Sequence, residues 1–549
     1  MKHTFKWKTW AFASLVALTA IGATRYSDIY FLIKKNFTIF SEVYREVSLR
    51  YVDEVDPEKL MRKGIDAMLE SLDPYTVLID EADTQEIDII TTGKYGGVGI
   101  EAGSRGGKIV VIAPIEGYSA FKKGVKAGDV ILKVNDISVE GLTPEDVQNL
   151  IHGEPGTTVS VTIQRYGVDQ PLNFELERQY IEVKNVEYAG FIGPRKEVGY
   201  ILLSRFSQNT GEEVRNAVLK FKKKDDLKGI ILDLRNNPGG LLDEAVKTVD
   251  KFVGPGIKVV ETRGRIKENN SVFRTEEPAL AGKIPLVVLQ NSGSASASEV
   301  VAGSLQDLDR AVIVGEQSFG KGLVQIIRPL SYNTALKITT SKYYIPSGRS
   351  IQSVTYTHDE NNSHFDKPDS LKKAFKTRAG RTVYDGQGIQ PDVKVSQNDQ
   401  SLLQIALLQN SYYFFFANQY TAEHKQLPGH VTDGMYETFR TYLKNKDFDY
   451  ETRTEKDLQA LKKRFASNGQ LEEGADYISG LQHIIEQEKE QEFADEAPEI
   501  KRELYRELSS RYYGRAGQIE AATRFDPYIK RGLGLIANST QYHDILSVR

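Results

Sequence analysis

Ile230-Ile-Leu-Asp-Leu-Arg-Asn-Asn-Pro-Gly-Gly240 and Pro285-Leu-Val-Val-Leu-Gln-Asn-Ser-Gly-Ser-Ala-Ser-Ala-Ser-Glu299 share one pattern: an apolar run of strand length that ends in small and polar residues. Such a run, bounded by turn residues, predicts a buried strand with a loop at its carboxyl end. Working outward, Val198 to Leu203 and Ala311 to Gly315 read as further strands, and Glu212 to Phe221, Leu242 to Phe252 and Glu299 to Leu308 read as helices between them. Alternation of this kind from Val198 to about Gln397 predicts an α/β layer with partly parallel strands.

The flanks differ from this centre. Between Gly93 and Tyr180, short β-rich runs (Lys108 to Ala113, Val130 to Val134, Val159 to Gln164) are separated by Gly and Pro turns, which predicts a compact, mostly β module. From Asn36 to about Ile90, Phe40, Val43 and Val47 recur at helical spacing, and Asp56-Pro57 and Asp73-Pro74 punctuate the segment. Beyond Ser401 the chain is rich in Glu, Lys and Leu, and Glu455 to Phe465 and Ile500 to Tyr512 read as amphipathic helices. The aromatic run Tyr412 to Phe416 lies within a helical pattern and reads as a buried face. The expected division is 1–24 as an export signal or anchor, 25–92 helical, 93–180 β-rich, 181–398 α/β core and 399–549 helical extension.

A length of 549 residues suggests three or four domains, and 71 Lys and Arg against 75 Asp and Glu argue against nucleic acid as the main partner. The absence of Cys excludes disulfides, thiolate chemistry and Cys-based zinc sites. Nothing calls for a metal or cofactor. Lys2, Lys6 and Lys8 precede the apolar stretch Ala11 to Ala23, the layout of a secretory signal, although an uncleaved membrane anchor stays open. A periplasmic or cell-envelope location is expected.

Three segments carry chemistry. Asn291 to Glu299 joins a strand to a helix, so Ser296 is expected at a helix N-terminus, where unpaired N–H groups and the helix dipole favour an oxyanion. Ser296 and Glu299 also fit an S-x-x-E capping box, which explains a lone serine without catalysis. Phe319-Gly-Lys-Gly-Leu-Val-Gln325 places Lys321 between glycines at the mouth of an apolar strand, with Gln325 on the same face if the run is extended. A lysine base must be neutral, which from ~10.4 requires about 4 kcal/mol of differential interaction, and burial is the available lever. The bland alternative is a solvated lysine in a Gly-rich hairpin. The turn after Asp233 brings Gly239 and Gly240, whose N–H groups would join that of Ala297 as an oxyanion hole; a simple tight turn is equally compatible.

Together these segments resemble the C-terminal processing peptidases, or tail-specific proteases, from Phe40 to Val393. The residues that carry the likeness are Tyr95-Gly-Gly-Val-Gly-Ile100, Gly124-Val-Lys-Ala-Gly-Asp129, Asp233-Leu-Arg-Asn-Asn-Pro-Gly-Gly240, Ser294-Ala-Ser-Ala-Ser-Glu299, Phe319-Gly-Lys-Gly322, Pro346-Ser-Gly-Arg349 and Gly388-Ile-Gln-Pro-Asp392. The resemblance implies a serine endopeptidase acting through an acyl-enzyme, with Ser296 as nucleophile, Lys321 as base and Gln325 in support. It also implies a crotonase- or Clp-like α/β core, with residues 93–180 as an inserted PDZ domain. In that domain the loop Tyr95, Gly96, Gly97, Val98, Gly99, Ile100 would receive the C-terminus of a polypeptide with an apolar last residue, and Arg165 would link tail binding to the core. Relatives of this kind self-associate through terminal helices, which makes a homo-oligomer or an adaptor the expected partner. Two other classes stay open: a catalytically silent PDZ scaffold of the envelope, and a non-hydrolytic enzyme on a crotonase-like fold.

Overall fold

A computed structural model describes residues 29–80, 92–356, 365–366, 372–396, 400–472 and 474–547. The expected signal segment 1–24 lies outside them. The chain divides into two units. The smaller holds the described parts of 1–80 and 325–339 together with Tyr356; the larger holds most of the rest. In the smaller unit Asp56 caps the helix Pro57–Glu70, accepting from the N–H groups of Glu58 and Lys59, and Pro57 opens it without losing a needed donor. The strand Val77–Ile79 there pairs antiparallel with Ala335 to Lys337.

The larger unit begins with the β-rich module. Its strands are β1 (Lys94–Gly97), β2 (Ile100–Arg105), β3 (Lys108–Pro114), β4 (Val130–Val134), β5 (Thr158–Gln164), β6 (Leu172–Glu177) and β7 (Gln179–Glu182), with helix α1 (Pro144–Ile151) before β5. The sheet order is β2-β3-β4-β5-β6, so β2 is an edge strand, and β1 and β7 form a separate ladder. Alternation along β5 buries Val159, Val161 and Ile163 completely, which is the period-two pattern of a sheet with one face inward. Thr143 and Asp146 close a capping box on α1.

The α/β core follows: β8 (Val186–Ile192), β9 (Val198–Leu203), α2 (Thr210–Lys222), β10 (Gly229–Asp233), α3 (Leu242–Asp250), β11 (Leu286–Gln290), α4 (Ala297–Asp307), β12 (Val312–Gly315) and β13 (Val393–Lys394). These strands lie in sequence order in one sheet. β9 through β13 are parallel, and β8 is an antiparallel edge. All of β10 and β11 is buried, as expected when both faces of a parallel sheet are covered. Ile230, Leu232, Leu286, Val288 and Ile313 share a cluster with residues of α2, α3 and α4. Ile231, Val287, Leu289, Val312 and Val314 point the other way.

That second face is covered by the end of the chain. The C-terminal helices are α5 (Leu402–Gln409), α6 (Tyr412–Glu423), α7 (Asp433–Lys444), α8 (Arg453–Ser467), α9 (Ala475–Asp495), α10 (Ala497–Thr523), α11 (Pro527–Ala537) and α12 (Ser539–Leu546). Tyr528, Ile529, Leu535, Ile536 and Tyr542, from α11 and α12, pack onto the outward residues of β10, β11 and β12. Burying side chains of this size contributes about 1.5–3 kcal/mol each, so the end of the chain is a layer of the core and not an appendage. The Tyr542 hydroxyl brackets Leu286, accepting from its N–H at 2.9 Å and donating to its carbonyl at 3.0 Å.

Residues of α5, α6, α7, α9 and α10 form a separate cluster around Leu403, Phe416, Phe439, Ile500 and Leu508, and Leu458 of α8 packs with Ile478 and Ile485 of α9. The aromatic run is divided between two tasks. Tyr413 and Phe416 enter this cluster, while Phe415 lies against Gly106 of the β-rich module.

Candidate active site

Three loops at the carboxyl ends of β10, β11 and β12 converge, which is where an open α/β sheet leaves room for a ligand. The first two are stitched side by side. Asn236 N–H donates to Asn291 Oδ1 and Asn291 Nδ2 donates back to Asn236 Oδ1, both at 2.9 Å. Ala295 N–H donates to the Asn237 carbonyl at 3.0 Å. The third loop joins them where Phe319 N–H donates to the Ser294 carbonyl at 3.0 Å.

Of the serines in Ser294-Ala-Ser-Ala-Ser298, two are committed to this scaffold. Ser294 Oγ donates to the Leu234 carbonyl at 2.8 Å, and Ser298 Oγ to the Asn237 carbonyl at 2.9 Å; both residues are buried. Ser296 between them is half-buried and caps α4 with φ 56° and ψ −115°. A non-glycine residue at such φ and ψ costs about 1–3 kcal/mol, and the surrounding hydrogen bonds hold it there. Strain at this one residue lifts its side chain out of the scaffold.

The capping-box partner does more than cap. Fully buried Glu299 accepts from Ser296 N–H at 2.8 Å and from Lys321 N–H at 2.8 Å through one oxygen, so those two nitrogens are no farther apart than twice 2.8 Å. Its other oxygen accepts from Gly320 N–H at 2.7 Å and Ser318 Oγ at 2.6 Å. Four donors on one carboxylate favour its charged form, yet burial pushes the carboxyl from 4.5 up to about 7. Glu299 thus ties the serine and lysine loops together. The S-x-x-E spacing is the only trace of this role in the sequence, and it points equally to a simple cap.

Lys321 precedes the strand Leu323–Pro329 and is half-buried. Its loop is clamped on both sides: Ser353 N–H donates to the Gly320 carbonyl at 2.9 Å, Gly322 N–H to Gln352 Oε1 at 2.7 Å, and the Tyr343 hydroxyl to the Lys321 carbonyl. Gln325 belongs to the smaller unit, where its Nε2 donates to Thr339 Oγ1 at 3.1 Å.

The glycine pair resolves into two roles. A Cβ on Gly239 would stand 2.8 Å from Ser296 Cβ, Ala297 N and Ala295 O, so only glycine admits this approach to the serine. Its N–H donates to Asn237 Oδ1 at 2.9 Å, which favours Gly240 over Gly239 as the glycine donor to an oxyanion. Gly240 bridges to Phe206 and pins the turn to the end of β9. Ala297 opens α4, with its N–H in the first turn.

In the β-rich module the tail loop narrows. Tyr95, Gly96 and Gly97 pair with Ile181, Tyr180 and Gln179, and Val98 and Ile100 are buried in the module core. The Tyr95 ring packs on His152 at 4.7 Å, and burial pushes its hydroxyl up to about 12. Only Val98 and Gly99 lie between β1 and β2 with backbone to offer. Arg165 stands just past β5 and, through Nε and Nη2, grips buried Asp129 at 2.8 and 2.7 Å and the Gly124 carbonyl at 2.8 Å. The Pro346-to-Arg349 and Gly388-to-Asp392 motifs are also structural. Arg349 is buried against Asp307 at 2.9 Å, and Asp392 accepts from Ile313 N–H at 2.8 Å.

A small-residue loop presenting a strained serine at a helix N-terminus, joined through one carboxylate to a glycine-flanked lysine and accompanied by a peptide-binding type of β module, defines the class: a PDZ-bearing serine peptidase. Family models agree in their placement. Peptidase family S41 matches residues 197–361, a PDZ domain matches 110–165, and "Probable PDZ-protease, C-terminal helical domain" matches 403–536. The chain is 41% identical over 328 residues to a carboxy-terminal-processing protease of Bartonella bacilliformis, covering 59% of this chain and 74% of that protein. To a "Probable CtpA-like serine protease" of Staphylococcus aureus it is 36% identical, spanning 58% of this chain and 63% of the relative. Among solved structures it is similar to the photosystem II D1 C-terminal processing protease, 26% identical with a TM-score of 0.35 over 67% of this chain and 90% of that one. The chain belongs to the carboxy-terminal-processing proteases of peptidase family S41.

Proposed function

We propose that this chain cleaves polypeptides as a serine endopeptidase with Ser296 as nucleophile and Lys321 as general base. The observation that carries the reading is the shared Glu299 oxygen, which holds the backbones of both residues while Ser294 and Ser298 are spent on the scaffold. Ser296 Oγ attacks the scissile carbonyl carbon, and its proton passes to the neutral Lys321 amine. Ala297 N–H is the favoured donor to the resulting oxyanion, with Gly240 N–H the second candidate. Collapse breaks the C–N bond, and the lysine ammonium returns its proton to the leaving amine. Water then attacks the acyl-enzyme with Lys321 again as base, which frees the acid and the serine.

The parallel sheet with helices on both faces supports a crotonase- or Clp-like core. Edge strand β2 supports tail capture: a substrate C-terminus would add along it, with its carboxylate at the backbone of Val98 and Gly99. The basic-then-apolar N-terminus supports export to the envelope; among the described residues no helix is long and apolar enough to cross a membrane.

The test is cleavage of an unfolded polypeptide with an apolar C-terminus by wild type, Ser296→Ala and Lys321→Ala proteins of equal thermal stability. Both variants should lose turnover, and turnover in either rejects the pair. Amidating the substrate C-terminus should slow cleavage; an unchanged rate removes tail recognition from the PDZ module.

A further inference from the structure

We propose that Asp526, in the C-terminal helical region, is a positioning residue for the peptidase site and acts through Arg235. The inference rests on the peptidase reading of Ser296 and Lys321. Asp526 divides its two oxygens between two tasks. Oδ1 caps α11, accepting from Tyr528 N–H at 2.8 Å and Ile529 N–H at 3.0 Å. Oδ2 accepts from Arg235 Nη1 at 2.7 Å. The other edge of that guanidinium is held by Asp233, which accepts from Nε at 2.9 Å and from Nη2 at 2.5 Å. Its face lies over the Tyr528 ring at 4.8 Å.

A guanidinium is a rigid fork, so two carboxylates at opposite edges fix its plane where one leaves it a pivot. Asp233 is fully buried at the end of β10 and also accepts from the Tyr200 hydroxyl at 2.8 Å, so it is immobile. Burial alone would weaken the guanidinium's hold on its proton, but Asp233 and Asp526 more than reverse this, and the charge is permanent. The residue after Arg235 is Asn236, whose paired hydrogen bonds with Asn291 join the first turn to the one bearing Ser296. Asp233, Arg235, Asn236, Asn291, Asp526 and Tyr528 line one cavity of about 340 Å³ beside these turns. A continuous set of contacts therefore runs from α11 to the nucleophile loop. Through it, a region that sequence marks as an extension fixes the position of the serine.

The helix cap and the arginine contact can be separated. Serine caps a helix about as well as aspartate but is too short to reach Arg235, whereas asparagine keeps the cap with its one oxygen and turns an NH2 group, in place of an acceptor, toward Arg235. With wild type and Ser296→Ala as controls, kcat and KM are measured for Asp526→Ser and Asp526→Asn per serine able to react with a fluorophosphonate. Misplacement of reacting groups by an ångström can cost on the order of 100-fold, so a partial loosening predicts a kcat about 10-fold lower for Asp526→Ser. KM should stay within about 2-fold, thermal stability near wild type, and Asp526→Asn should lose kcat to a similar extent. Wild-type kcat per reactive serine in Asp526→Ser overturns the inference. So does a loss of kcat that in both variants comes with a matching fall in thermal stability, which would mean that the cap and not the arginine contact matters. If Asp526→Ser fails to fold, the result for Asp526→Asn decides: unchanged kcat overturns the proposal, and lowered kcat at unchanged KM supports it. A wild type without turnover would reject the peptidase reading itself, and the inference with it.

Discussion

Replacing Glu299 by Gln is the most informative perturbation of the site. The carboxylate accepts four hydrogen bonds from Ser296, Lys321, Gly320 and Ser318 at 2.6–2.8 Å. An amide offers one oxygen, so two of those donors would face an NH2 group. Hydrogen bonds to a charged group are worth about 1.5–3 kcal/mol each. Losing two, partly offset because a neutral amide does not bury a charge, gives a net destabilisation of about 2–4 kcal/mol. The loss falls on the contacts that set the Ser296 and Lys321 backbones, so kcat should drop about 100-fold with KM little changed. Burial pushes the wild-type carboxyl from 4.5 up to about 7, so between those values the unfolded chain releases a proton that the folded chain keeps. Its contribution to stability is therefore full below pH 4.5 and lost as pH rises to about 7, a change on the order of 3 kcal/mol. The stability difference between wild type and Glu299→Gln, measured by urea unfolding, should shrink with pH across that window and level off above it. A variant with wild-type kcat and a stability difference independent of pH would refute the reasoning.

Gly239→Ala forces a Cβ to 2.8 Å from Ser296 Cβ at φ 100°, and should abolish turnover with a smaller effect on the melting temperature; normal kcat would show that the turn moves freely. Arg165→Ala leaves buried Asp129 without its bidentate partner and should destabilise the PDZ module by about 3–5 kcal/mol, read by unfolding. If it instead altered tail affinity with stability unchanged, the coupling role first expected for Arg165 would be supported. Tyr542→Phe removes both hydrogen bonds to Leu286 and should cost about 1–3 kcal/mol in urea unfolding, while a stability equal to wild type would remove α12 from the core layer.

Strand identity and the serine, lysine and glycine loops were readable because each is a local pattern. The apolar runs of β10 and β11 could only be buried strands, and Ser296 could only stand at a strand-to-helix turn. Which serine of the Ser294-to-Ser298 run is presented was not local. Ser294 and Ser298 are withdrawn by carbonyls of Leu234 and Asn237, about 60 positions away, and no spacing rule reports such partners. The partners of Arg165 and Gly239 are equally invisible to spacing, since they are Asp129 and the side chain of Asn237. The second face of the core sheet shows the limit most plainly. Buried strands require cover on both sides, but burial is non-directional, and any amphipathic helix in the chain satisfies it. Only the folded chain selects Pro527 to Leu546 for that face, and with it the carboxylate of Asp526 beside Arg235.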